Sequence, residues 1–353
     1  MLYAVVEKRD FPDFVSLLIS RYGVIGPRQK GDQFVFAPVK EYGQVALNYG
    51  TTILPPKKFF LPHEEILLEF DLENQKILED EGKKEKRILL GLHPCDIRGL
   101  QLLDLVFSGQ YRDSRYFTRR ANNIIIGYDC DPQESCFCQS MDADEVDSGF
   151  DLFFTDLGEC LLVRIGSAEG DNILRRTAKI REVTSEDLEL FRIKSRLRKN
   201  LFVLSVDRTD LPDFLDLAYK SNIWDELGEK CFSCGTCSIV CPTCYCFSMV
   251  DESALNLKEG RRYRHWDSCL FRDFALVAGG YNFRRDASTR IKLRYYHKQR
   301  GFVDRYGRPS CVGCGRCIKS CLARINLVEV INRIKGETFE ERRRRENALQ
   351  QNE

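Results

Sequence analysis

Several things that would make a function easy to read are scarce or missing in this sequence. Lysine plus arginine number 54 against 53 acids, so the basic excess that nucleic-acid binding draws on is absent and no nucleic-acid partner is expected. No stretch approaches the roughly 18 uninterrupted apolar residues of a membrane-spanning helix. The amino terminus, Met1 to Asp10, meets Glu7, Lys8 and Arg9 before a signal-peptide core can form. The expectation is a cytoplasmic protein with no membrane partner. No G-x-G-x-x-G follows a strand and no G-x4-G-K-[ST] occurs, so the chain offers no nucleotide cradle of its own and no hydride donor. His63, His93, His265 and His297 are scattered. Neither a Ser-His-Asp set nor paired carboxylates can be argued, and no catalytic residues are expected.

What the sequence has in abundance is cysteine, sixteen in 353 residues. Without a secretion signal a reducing compartment is the expectation, which makes these residues metal ligands or thiols rather than disulfides. Their spacing decides for half of them. Cys231, Cys234, Cys237 and Cys241-Pro242 read C-x2-C-x2-C-x3-C-P, and Cys311, Cys314, Cys317 and Cys321 repeat the spacing, with Leu322 in place of proline. In such runs three thiolates from one loop grip one 4Fe-4S cluster and the fourth cysteine ligates the other. The expected assignment is therefore crossed. Cys231, Cys234, Cys237 and Cys321 hold one cluster, and Cys311, Cys314, Cys317 and Cys241 hold the second. Paired zinc sites also use C-x2-C, but zinc needs no third cysteine and no C-P. Gly235 and Gly315 sit inside the loops, where backbone amides must approach sulfide closely.

The remaining chain reads as α/β for about 225 residues. Arg87-Ile88-Leu89-Leu90-Gly91-Leu92 and Asn123-Ile124-Ile125-Ile126-Gly127 look like buried strands. Between them Asp96 is a plausible cap for a helix carrying Ile97, Leu100, Leu103 and Val106. A right-handed crossover then lays the two strands parallel and adjacent. Residues 151–155 and 160–165 suggest a hairpin turning at Gly158, at a sheet edge. Charged helix is expected over 185–200, and a helix over 211–227. The organisation expected is an α/β domain over 1–225, a mainly helical ferredoxin-like domain with two 4Fe-4S clusters over 226–335, and a charged tail over 336–353. The two cysteine motifs are 70 positions apart, so an insert separates them, and residues 255–281 read as mainly helical.

Eight cysteines lie outside the two motifs. Cys95 and Cys130 fall at the carboxyl ends of the two adjacent strands, where open α/β sheets bind ligands, and Cys136-Phe137-Cys138 follows on a loop. These four suit a third cubane cluster, or they are reduced thiols with a Cys136–Cys138 disulfide as the alternative; their spacing alone does not decide. Cys160 reads as a buried small hydrophobe. Cys244, Cys246 and Cys269 fall short of a tetrahedral ligand set and read as packing thiols or groups beside a cluster. Lys230, Arg316 and Lys319 flank the motifs, where they raise local potentials or are solvated.

Several of these segments resemble one family. Residues 51–60 (TTILPPKKFF), 91–97 (GLHPCDI), Cys136-Phe137-Cys138, Cys241-Pro242-Thr243-Cys244-Tyr245-Cys246-Phe247, Trp266-Asp267-Ser268-Cys269, 278–284 (AGGYNFR) and 311–317 (CVGCGRC) resemble the beta subunit of cytosolic sulfhydrogenases, which are nickel-iron hydrogenases. The resemblance runs from about residue 45 to 330. It implies an electron-transfer subunit of a multisubunit oxidoreductase, placed between a diaphorase subunit binding FAD and NAD(P) and the hydrogenase small subunit. The electron-transfer subunit of anaerobic sulfite reductase shares the cysteine landmarks and stands as the alternative. A self-sufficient flavin reductase, with flavin at the crevice near Cys95, is a second alternative from another class, and a zinc-stabilised scaffold a third.

Overall fold

The computed structural model describes residues 2–79 and 86–336. The tail beginning at residue 337 and most of the charged loop at 79–84 lie outside them. In chain order the first half forms β1 (Leu2–Glu7), α1 (Phe11–Arg21), β2 (Gly23–Lys30), β3 (Gln33–Pro38), β4 (Glu64–Asp71), β5 (Lys76–Glu79), β6 (Arg87–Leu92), α2 (Pro94–Phe107), α3 (Ser114–Ala121), β7 (Asn123–Tyr128), β8 (Leu152–Asp156), β9 (Cys160–Ile165), α4 (Ala168–Thr177) and α5 (Ser185–Lys199). Seven of these strands build one sheet in the order β1-β9-β8-β7-β6-β2-β3. Its centre, β8-β7-β6-β2, is parallel, and antiparallel pairs flank it.

The apolar runs of the central strands are continuous because both faces of the sheet are covered. Ile88, Leu90, Ile124 and Ile126 point into a core with Phe11, Phe14, Val15 and Leu18 of α1. Leu89, Leu92 and Ile125 point the other way, against Ile97, Leu100 and Leu103 of α2. Each such side chain, fully removed from water, contributes about 1.5–3 kcal/mol. The parallel pairing of β6 and β7 agrees with the sequence reading. Two details differ. The Gly158 hairpin is not at an edge, because β1 adds beyond β9. Asp96 does not cap α2, whose N-cap is His93 with Pro94 at the first helical position.

The second half continues with α6 (Leu211–Leu217), α7 (Ile223–Lys230), α8 (Thr236–Ile239), β10 (Phe247–Ser253), β11 (Glu259–Trp266), α9 (Ala287–Tyr296), α10 (Phe302–Tyr306), α11 (Arg316–Lys319) and α12 over 327–336. The single helix expected over 211–227 is broken by a 3-10 turn at Ala218–Lys220. The description "mainly helical" holds only in part. Between the cysteine motifs lies an antiparallel hairpin, β10–β11, and the helical content of residues 255–281 is limited to short 3-10 turns at Arg272–Ala275 and Ala278–Gly280. The charges of the hairpin are matched across its strands. Arg262 pairs with Asp251 at 2.6 Å and Arg261 with Glu252 at 2.8 Å, the cross-strand form of the spacing rule on helices.

That hairpin joins β4 and β5 from the first half in a four-stranded sheet, β10-β11-β4-β5. Arg264 of β11 reaches buried Glu65 of β4 at 2.7 Å. The two halves of the chain are thus stitched through shared backbone ladders.

Candidate metal centres

The two motif loops have the same local form. Each carries a glycine in the left-handed region, Gly235 at φ +71° and Gly315 at φ +73°, and each glycine opens a one-turn helix, α8 or α11. A side chain would be strained at either position. Cys231, Cys234, Cys237 and Cys321 line one cavity of about 40 Å³, together with Phe232, Leu322 and Cys317 of the other set. The Ser233 amide donates to the Cys231 sulfur at 3.4 Å and the Ile325 amide to the Cys321 sulfur at 3.3 Å. N–H bonds of this kind stabilise charge on thiolate sulfur.

Cys241, Cys311, Cys314 and Cys317 gather nearby. Burial pushes the thiols of Cys311, Cys314 and Cys317 up, and Cys241 adds to the rise at all three. Cys317 reaches about 12, with Cys311 and Cys237 also contributing. A neutral thiol is thus favoured while no metal shares the charge.

Cys95, Cys130, Cys136 and Cys138 converge as well, lining a small cavity of about 10 Å³ at the carboxyl ends of β6 and β7. His93 lines it too and stacks on Tyr49 with centroids 3.9 Å apart. Its Nε2 is buried without a partner among the described residues. Burial, reinforced by the Arg316 charge, depresses the imidazole to about 3, so it is neutral. An orphaned ring nitrogen beside four sulfurs suits a site filled by a polar group such as a cluster.

The cavity adjoins the second motif closely. The Phe137 amide donates to the Gly313 carbonyl at 2.8 Å and the Cys136 thiol to the Cys314 carbonyl at 3.7 Å. A Cβ on Gly313 would meet the Phe137 backbone at 2.5 Å, and one on Gly315 the Ser135 carbonyl at 2.5 Å. Arg316 lies between the two sites. It is 2% exposed, pairs bidentately with wholly buried Asp96 at 2.7 and 3.0 Å, and donates to the Thr52 carbonyl at 3.0 Å. Lys230 and Lys319, by contrast, are exposed.

The electrostatics of the junction were not legible from spacing. Lys57, Arg294 and Lys298 are all buried, and none has a carboxylate ion-pair partner among the described residues. Lys57 donates to the Cys244 carbonyl at 2.8 Å and stands 4.4 Å from the Trp266 ring centroid. Lys298 donates to the Thr243 hydroxyl at 2.8 Å and the Ser310 carbonyl at 3.1 Å, and Arg294 to the Cys237 carbonyl at 3.3 Å. Burial disfavours the Arg294 and Lys298 charges, yet the surrounding sulfurs more than offset it and hold both cations charged. At Lys57 burial wins and lowers the amine, opposed by Cys244 and Cys241. Burying cations without counter-charge is costly. Cysteine thiolates carrying clusters supply that charge, so the donor set fits iron-sulfur centres. Of these three cations only Lys57 lies in a stretch that the sequence reading singled out.

Cys160 is buried beside Asp187 at 3.7 Å, apart from every other cysteine site. Cys244 is a near neighbour of Cys241, and Cys246 of Cys269. Among the described residues no helix is long and apolar enough to cross a membrane.

Comparison with known proteins agrees with this geometry. Residues 230–325 match the family model described as a 4Fe-4S dicluster domain. The chain is 38% identical, over 95% of its length and 99% of the relative's, to sulfhydrogenase 2 subunit beta of Pyrococcus furiosus. A dicluster domain bounded by both cysteine motifs, within a likeness that spans the first half as well, leads to one assignment: the chain belongs to the sulfhydrogenase beta-subunit family.

Proposed function

We propose that the chain is an electron relay of three 4Fe-4S clusters. Cys231, Cys234, Cys237 and Cys321 ligate the first; Cys311, Cys314, Cys317 and Cys241 the second; Cys95, Cys130, Cys136 and Cys138 the third. The observation that carries the reading is the set of buried cations, Lys57, Arg294 and Lys298, facing cysteine sulfurs with no carboxylate to balance them among the described residues. Support for the third site comes from the four cysteines and the unpartnered His93 Nε2 that line one cavity.

The relay runs between a diaphorase subunit carrying FAD and NAD(P) and the small subunit of a nickel-iron hydrogenase. Support for those ends is the likeness to a sulfhydrogenase subunit. The protein's own work is to hold the clusters at tunnelling distance and to set their potentials through buried charge, N–H···S bonds and exclusion of water.

Iron and acid-labile sulfide analysis of anaerobically purified protein tests this directly. About twelve irons per chain are expected for three cubanes, and about eight would reduce the relay to two. Cys95→Ser should lose about four irons; a variant that keeps them all sinks the third site.

A further inference from the structure

Gln299 is a buried polar residue that no part of the relay accounts for. It is 1% exposed, and neither its amide nitrogen nor its amide oxygen has a partner among the described residues. An unpaired buried amide is costly and calls for an explanation in a native fold. Its backbone is as unusual as its side chain. His297–Gly301 form one turn of π-helix between α9 and α10, a distortion that recurs at functional sites. From this turn Lys298 bonds Thr243 and Ser310, whereas Gln299 lines a cavity of about 510 Å³. The cavity lies between the halves of the chain, bounded by residues 139–140, directly after Cys138, and by residues 307–309, just before the second motif.

Its surroundings carry surplus positive charge. Three guanidinium groups converge on residues 141–142: Arg308 donates to the Met141 carbonyl at 3.5 Å, Arg98 to the Asp142 carbonyl at 3.2 Å, and Arg208 pairs with the Asp142 carboxylate at 2.5 Å. One carboxylate answers three cations. Arg208 and Arg308 line the cavity, and the buried Arg308 Nε has no partner among the described residues. Asp207, the acid of the lining, is taken up by Lys335 at 2.5 Å. The hydroxyl of Ser140, also in the lining, accepts from the Val206 amide at 2.9 Å, which leaves its own hydrogen to donate.

Water could satisfy the amide but not the charge. An occupant that answers both brings anionic oxygens for Arg308 and the Gln299 Nε2–H, and a hydrogen for Gln299 Oε1. We propose that this cavity binds a small oxyanion that keeps an acidic hydrogen, with hydrogen phosphate as its simplest form. Its oxygens accept from Arg308, Ser140 and the Gln299 amide, and its P–OH donates to Gln299 Oε1. Occupied, the site ties the loop after Cys138 to the segment before Cys311 and stabilises the folded chain by mass action. No cysteine takes part, so the site stands whether the relay holds two clusters or three.

The test is calorimetric titration of the full-length, cluster-loaded protein with inorganic phosphate near neutral pH, under anaerobic conditions and at ionic strength held constant with potassium chloride. Iron is measured on the same samples. One phosphate per chain should bind saturably. Sulfate, similar in shape but without the hydrogen, should bind about 10-fold more weakly or worse. Gln299→Met and Arg308→Met should each weaken phosphate binding about 10-fold or more, with iron per chain unchanged. In phosphate-free buffer Gln299→Met should unfold no earlier than the parent protein, since it replaces an unpartnered amide with an apolar group of the same length; its loss of binding is then not a loss of fold. Three results overturn the proposal: no saturable heat from the parent protein with iron intact, phosphate binding by Gln299→Met as tight as the parent's, or sulfate binding as tight as phosphate.

Discussion

The two cysteine motifs share spacing, glycine conformation and a one-turn helix, yet they face opposite environments. The first opens to solvent: Cys234 is exposed, and Phe232 and Leu322 beside it are 68% and 73% exposed. The second is enclosed. Val312, Cys314 and Arg316 are buried, and the loop lies against residues 135–138 of the first half. One ligand geometry thus serves two positions in a relay. The exposed loop suits exchange with a partner, and the enclosed one suits transfer within the chain, because water screens charge at the first and is excluded from the second. A cluster's potential follows solvent exposure and nearby charge, so equal spacing need not mean equal potential.

Breaking the enclosed side should have the largest effect. Arg316→Leu leaves the Asp96 carboxylate, 0% exposed, without its partner, and removing one member of a buried pair costs about 3–5 kcal/mol. Denaturant unfolding of the anaerobic protein should show a loss of that size, and a change under 1 kcal/mol would mean that the pair is not integral to the fold. Next comes a matched pair of glycine substitutions. Gly315→Ala and Gly235→Ala both force a side chain into the left-handed region, at about 1–2 kcal/mol each. The new methyl at 315 also meets the Ser135 backbone carbonyl, whereas that at 235 meets side chains only, the tip of the 37% exposed Phe271 ring and the Ser268 Cβ. Gly315→Ala should therefore lose more stability and more iron, and equal losses would erase the distinction between the loops. The smallest effect belongs to the open side: Phe232→Ala should alter stability by no more than about 0.5 kcal/mol, measured in the same unfolding assay.

Much of this was legible in the sequence, for identifiable reasons. The eight motif cysteines announce themselves by spacing, and the parallel strands β6 and β7 by unbroken apolar runs that only a sheet covered on both faces permits. The placing of Cys95 and Cys130 followed from strand ends, while for Cys136 and Cys138 on the loop beside them the sequence left a cluster, free thiols and a disulfide open. What spacing could not supply was anything depending on distant residues. The β10–β11 hairpin carries the same alternating charge that a solvated helix would, and its partner strand β4 lies almost 200 positions upstream. Lys57 and Asp96 meet groups at Cys244 and Arg316 across similar separations. Such contacts leave no local periodicity to read.

The sheet shared between the halves also has a consequence in time. During synthesis β4 appears long before β11, and at about 5–20 residues per second the wait is on the order of 10–40 seconds. Through that interval one flank of β4 has no strand beside it, which is a standing invitation to pair with another chain. Its sequence, EEILLEFD, carries four acids, and β11 brings Arg261, Arg264 and His265 opposite three of them, Glu69, Glu65 and Glu64. Like charges along the nascent edge repel other copies of itself. The arriving strand is the one whose charges fit, so the same side chains guard the gap and then select what closes it.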